Sequence, residues 1–113
     1  MMKYDFDMKN LCPATFSFQV IGGKWHLPLM AILSENETIR YNDLKRRLDG
    51  ITATTLTNAL KELIAHGVVR REAFAEVPLR VEYSLTESGK ELVPLIEAIV
   101  TWGGRHMPEI EPF

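Results

Sequence analysis

Between Thr52 and Lys61 the chain lines up side chains suited to reading base edges. At 100° per residue, Thr54, Asn58 and Lys61 fall on one helix face, Thr55 and Thr57 flank it, and Thr52 stands at its start. Asn58 can bond an adenine edge bidentately. Threonine offers a hydroxyl to base edges and a methyl to thymine. Thr52 and Thr55, in the first turn, can meet phosphate through a hydroxyl or a backbone N–H. Lys61, one turn deeper, suits phosphate better. A polar helix face taken alone is more often a solvated surface, so the reading depends on what surrounds it.

Basic side chains surround it. Arg80 lies where a hairpin would emerge from its tip, and an arginine there suits a narrow, A·T-rich minor groove. Arg70 and Arg71 alternate along one strand, so at most one can face a duplex. Each of these arginines could instead pair with Glu72 or Glu82 across the hairpin. Arg47, with Lys45 and Arg46, is either a phosphate contact or part of a solvated basic face. The net charge of −2 and the pI near 5.9 argue mildly against nucleic acid, but the distribution reverses that. From Arg40 to Arg71 there are 7 basic and 3 acidic residues, a local +4, and the remainder carries −6.

Cys12 is the second chemically active group. With Pro13 behind it, it stands at or beside a helix cap, where unpaired N–H groups and the positive dipole end favour thiolate, and Lys9 can add to this. Such a thiol reacts with oxidants and electrophiles. It is the chain's only cysteine, so a protein disulfide must join two subunits; otherwise the thiol pairs with a small one. The alternative is a small, half-buried hydrophobe without chemistry. His26, His66 and His106 have no metal-ligand spacing and read as surface or structural residues. Neither HExxH nor GxSxG occurs, and Gly22-Gly23-Lys24 is only a fragment of a phosphate loop. No enzyme, metal or cofactor is expected.

Elements to position these groups follow from periodicity. Pro13 to Ile21 is apolar over much of its girth and stops at Gly22-Gly23. Trp25, Leu29, Ile32 and Leu33 mark a second helix. With Pro28 near its start, it begins either at about Leu27 or after an irregular turn over Lys24 to Pro28. Thr38 to Arg40 could be a short strand. Tyr41, Leu44 and Leu48 share a third face, and Gly50 ends that helix sharply. Thr52 caps the fourth helix, where Leu56, Leu60, Leu63 and Gly67 lie within about 60°. Val68 to Phe74 and Arg80 to Leu85 alternate like strands, with Val81, Tyr83 and Leu85 inward. Thr86 caps the last helix. Its stripe of Leu92, Leu95, Ile96, Ile99, Val100 and Trp102 is wider than one core needs, which implies a partner surface. Pro94 should kink or break it.

The chain's 113 residues suit one domain, and 46% hydrophobic residues suffice for a core. No apolar run is long enough to span a membrane, and the polar start has no signal-peptide core, so the expected location is cytoplasmic.

The segments Cys12-Pro13, Val20-Ile21-Gly22-Gly23-Lys24-Trp25, Gly50-Ile51-Thr52, Leu56-Thr57, Leu60-Lys61-Glu62-Leu63 and Pro78 to Glu87 resemble the HxlR family of bacterial winged helix-turn-helix regulators, related to the MarR group. The resemblance runs from about Cys12 to Trp102. It implies a homodimer joined by its terminal helices, with Phe16, Val20, Ile96, Ile99 and Trp102 at the interface. It also implies a recognition helix at Thr52 to Ala65 and a wing centred on Glu76 to Arg80. Some members use a cysteine in the position of Cys12 to sense oxidants or electrophiles.

The expectation is an α+β fold, mostly α: a winged helix-turn-helix with a two-stranded β-wing and extra N- and C-terminal dimerisation helices. One domain covers 1–113, with dimerisation helices at 10–22 and 86–107, the helix-turn-helix at 41–66 and the wing at 68–85. The expected partner is double-stranded DNA carrying a pseudo-palindromic operator, bound by a repressor without membrane contact. The expected DNA-binding set is Thr52, Thr54, Thr55, Thr57, Asn58, Lys61, Arg80 and Arg47, and a small oxidant or electrophile would act at Cys12. Competing functions are a winged helix used only for protein contacts and a regulator answering a small-molecule effector.

Overall fold

The structure, a computed structural model, describes residues 12–109. Its elements run α1 (Pro13–Ile21), α2 (His26–Ser34), β1 (Ile39–Arg40), α3 (Tyr41–Arg47), α4 (Ala53–Ala65), β2 (Val69–Phe74), β3 (Arg80–Leu85) and α5 (Glu87–His106). This is a winged helix-turn-helix: α3 and α4 are the helix pair, and the β2–β3 hairpin is the wing.

Local chemistry accounts for the element ends. Cys12 caps α1, its Sγ accepting from the Thr15 N–H at 3.4 Å, and Pro13 fills the first helical position. Residues 10 and 11 of the expected first helix lie outside the described residues. The α2 helix starts at His26, a residue before the expected Leu27, after a turn at Gly23 to Trp25. Pro28 is tolerated because it occupies the first turn, where a backbone N–H has no intrahelical acceptor to lose. Between α3 and α4 the chain turns at Gly50, whose φ of +83° a side-chain-bearing residue would rarely adopt. Thr52 then caps α4, its hydroxyl accepting from the Thr55 N–H at 3.1 Å.

The core forms where these helices meet the sheet. Leu29, Met30 and Leu33 of α2 are sealed at its centre, with Leu44 of α3 and Leu56, Leu60 and Leu63 of α4 packed in the same cluster. Removing water from each such leucine is worth roughly 1.5–3 kcal/mol. This burial fixes the outward face of α4, because a helix with its leucines pinned inward cannot rotate.

The expected two-stranded wing gains a third strand. Ile39 and Arg40 pair antiparallel with Tyr83 and Glu82, giving the order β1-β3-β2. The hairpin register sets Val69 against Leu85, Arg71 against Tyr83 and Phe74 against Arg80. Tyr83 and Leu85 are buried as expected, and Val81 is half-buried. The added strand ties the base of the wing to the start of α3, so wing and helix pair share one frame.

Two expectations about the terminal helices need correction. First, of the kink or break expected at Pro94, the break does not occur: α5 is one continuous helix through it. Pro94 is exposed, so the Lys90 carbonyl that loses its donor can be hydrated. Second, Val20 and Ile96, expected at a subunit interface, are each only 4% exposed and belong to the chain's own core. They lie on the inner edge of stripes broad enough to serve two surfaces. The outer edges stay open: Phe16, Phe18, Leu95, Ile99, Val100 and Trp102 are exposed, Trp102 by 65%.

Candidate nucleic-acid interface

The outward side of α4 carries Thr52, Thr54, Asn58 and Lys61 exposed, with Thr55 half-exposed beside them. Leu56, Ala59, Leu60 and Leu63 hold the opposite side in the core. The side chains of Thr54, Asn58 and Lys61 make no hydrogen bond or ion pair among the described residues. They are therefore available to a ligand without breaking anything first. Thr52 is not equally free. Its hydroxyl accepts the Thr55 N–H and donates to the Thr55 Oγ1 at 2.9 Å, so the proton left to offer outward is that of Thr55. Thr57 is half-buried, 3.3 Å from the Tyr41 hydroxyl, which also donates to the Ala53 carbonyl at 3.1 Å. The tyrosine thus pins the first turn of α4 to α3, and Thr57 belongs to that joint more than to the open face.

At the wing, Arg80 departs from the expected minor-groove reader. It is only 28% exposed in its side chain, with Nη2 3.4 Å from Glu76 and Nη1 3.9 Å from Glu82. Its guanidinium lies 4.0 Å over the Phe74 ring, and its buried Nε has no partner among the described residues. A delocalised cation over an aromatic face is well accommodated there. Across the hairpin the register partner of Arg80 is Phe74 rather than an acid, and Glu82 reaches it only along its own strand. The wing tip instead exposes Val77 and Leu79. Arg47 is exposed on α3, 3.9 Å from Glu35, a separation at which solvent screening leaves little attraction. Arg46 pairs with Asp43.

A joint centred on the buried His26 backs α4. The His26 ring places Nδ1 2.8 Å from the Val20 carbonyl and Nε2 2.8 Å from Glu62 Oε2. Both neighbours are acceptors, so His26 connects the end of α1, the start of α2 and the middle of α4. The glycine turn before it has a steric reason: a Cβ at Gly23 would fall 2.8 Å from the imidazole. From sequence, His26 reads as surface or structural; the structure makes it structural. The spacing between Glu62 and His26 contained no signal of their pairing. Lys24, on the same turn, lines a shallow groove together with Thr55 and Asn58, which sequence periodicity had no means of showing.

Cys12 is buried, 6% exposed, and engaged with Thr15 by both hydroxyl (3.1 Å) and backbone N–H. The Thr15 hydroxyl, then its N–H, hold the thiol below its ordinary pKa, against the opposing effect of burial. Between α1 and α5 lies an apolar groove of about 550 Å³ lined by Phe16, Val20, His66, Leu92, Leu95 and Ile99. Among the described residues no group of His, Cys, Asp or Glu could hold a metal ion, and no helix is long and apolar enough to cross a membrane.

Comparison with known proteins gives one answer. A family model described as HxlR-like helix-turn-helix matches residues 20–111. A helix-turn-helix-type transcriptional regulator of Halalkalibacterium halodurans is 40% identical over 105 residues, covering 91% of this chain and 93% of that protein. Among solved structures, the redox regulator HypR in its oxidized form superposes with a TM-score of 0.80 at 40% identity, covering 87% of this chain and 100% of that one. HypR in its reduced form gives 0.78 at 41% identity, covering 82% and 91%.

Proposed function

Since this chain belongs to the HxlR-like helix-turn-helix family and is a DNA-binding transcriptional regulator, we propose that it acts as a homodimeric repressor whose α4 helices read a pseudo-palindromic operator. The single observation carrying this is the outward side of α4: three polar side chains, Thr54, Asn58 and Lys61, unengaged by the protein and backed by sealed leucines. In this reading Asn58 and Thr54 meet base edges, and the first turn at Thr55 and Lys61 further along meet phosphates. Arg47 supplies a peripheral phosphate contact. Arg80 shapes the wing through Phe74 and Glu76 rather than entering the minor groove.

The second subunit covers the outer edges of α1 and α5, with Phe16, Ile99 and Trp102 in the interface. Val20 and Ile96 support those helices from inside. Two α4 helices related by a dyad would then meet half-sites one helical turn, about 34–36 Å, apart or a multiple of that. Genome-wide mapping of bound sites followed by binding to the mapped duplex and a scrambled one tests the proposal. Equal affinity for the two duplexes removes sequence reading.

Regulation in this proposal runs through Cys12. Support comes from the Thr15 hydroxyl and N–H, which favour the Cys12 thiolate at the helix cap, and from the likeness to HypR, a redox regulator solved in two oxidation states. Oxidation of Cys12, which sits at the start of α1, would shift the dimer helices and with them the spacing of the α4 pair. Operator affinity of wild type and Cys12→Ser is compared with and without diamide; an identical response in both proteins excludes Cys12. A response that persists in Cys12→Ser and follows a small apolar ligand would favour the α1–α5 groove as an effector site instead.

A further inference from the structure

We propose that Lys24 is a DNA-backbone contact of this protein, placing its ammonium group on a phosphate beside the bases read by Asn58. The inference rests on α4 entering the major groove and adds a contact from outside the helix-turn-helix.

Three observations carry it. The first is position. The turn before α2 and the side of α4 form the two walls of one groove, of about 180 Å³, with Gly23, Lys24 and Trp25 facing Thr55 and Asn58. A major groove about 12 Å wide is nearly filled by a helix of about 10–12 Å including side chains. A cation standing beside the reading helix, rather than on its crest, therefore meets the phosphate wall.

The second is availability. Lys24 is exposed, and its Nζ lies 5.2 Å from the centroid of the Trp25 ring, which orients the ammonium without neutralising it. Among the described residues no carboxylate pairs with it, whereas Arg80, Arg46 and Lys90 each face an acid. The third is the local charge. Glu62 is the acid of this groove, and its Oε2 is turned onto His26 Nε2 at 2.8 Å. Glu62 is thereby engaged by His26 and forms no ion pair with Lys24 among the described residues, which leaves the ammonium open to an incoming anion.

A phosphate contact leaves a defined signature. Each neutralised phosphate contributes about 0.9 to the slope of log affinity against log salt, so a dimer losing two contacts loses about 1.8. The advantage of wild type over Lys24→Gln should shrink about 12-fold as salt rises from 50 to 200 mM. That loss should be equal on operator and scrambled duplexes, and Lys24→Arg should restore the slope. An unchanged slope in Lys24→Gln overturns the proposal, as does a loss confined to the operator or a Lys24→Arg protein that behaves like Lys24→Gln. A wild-type protein with no salt-dependent duplex binding would overturn the DNA-reading proposal itself, and so is distinguishable from failure of the Lys24 contact alone.

Discussion

Replacing Asn58 by alanine separates reading from folding. Asn58 is exposed on α4 and makes no hydrogen bond among the described residues, so its removal leaves no buried group unpaired. Alanine is the better helix former, by up to about 0.7 kcal/mol. Thermal unfolding should therefore hold steady or rise by roughly 2–5 °C. Operator binding should move the other way. One bidentate base contact is worth about 1–3 kcal/mol of discrimination, and the dimer makes two in separate half-sites, so about 2–6 kcal/mol is at stake. Even the lower figure weakens operator binding about 30-fold. Fluorescence anisotropy on operator and scrambled duplexes, with a melting curve on the same sample, gives both numbers. The account expects a large operator loss, a scrambled-duplex affinity within about twofold of wild type, and an unharmed fold. Equal losses on both duplexes would show that Asn58 reads no base, and a lowered melting temperature would show that this face is engaged in the fold.

Other consequences follow from the same geometry. Thr15→Val removes the hydroxyl that does most to lower the Cys12 thiol pKa, so the midpoint of an alkylation-rate profile should move to higher pH. The wild-type advantage is greatest below the wild-type midpoint and closes at high pH, where both thiols are ionised; coincident profiles would show that Thr15 does not tune the thiol. Paired Ile99→Glu and Trp102→Glu changes, both on exposed positions of α5, should convert dimer to monomer in sedimentation while far-UV dichroism is retained. A persistent dimer would place the interface elsewhere. His26→Ala strands the buried Val20 carbonyl, which alone should cost about 1–3 kcal/mol in denaturant unfolding. A variant as stable as wild type would remove the α1–α2–α4 joint from the account.

What could be read from sequence was mainly what is local. The leucine spacing of α4, its Thr52 cap and the Gly50 turn all depend on residues within a turn or two of one another, and each stands as expected. So does the alternation of β3. What escaped depends on partners far apart in the chain. Ile39 finds Tyr83, and Glu62 finds His26, only after the fold has closed. Arg80 looked available because its pattern matched a wing cation; the Phe74 ring that captures it became its neighbour only through the hairpin register. Val20 and Ile96 show a related limit. The width of an apolar stripe tells that two surfaces are served, but not which residues serve which. Lys24 lies on a turn whose glycines resembled a phosphate loop in sequence. Its proximity to Asn58 arises where His26, at the start of α2, is tied to Glu62 of α4, beyond the reach of any spacing rule.

The central claim is that a paired scaffold presents two α4 faces at the spacing of B-form DNA. Hydroxyl-radical footprinting of the wild-type protein on its mapped operator measures this directly. The account predicts two dyad-related protected half-sites on one face of the duplex, their centres about 10–10.5 base pairs or a whole multiple apart. Protection lacking a dyad, or centres separated by a half-integral number of turns, would contradict it.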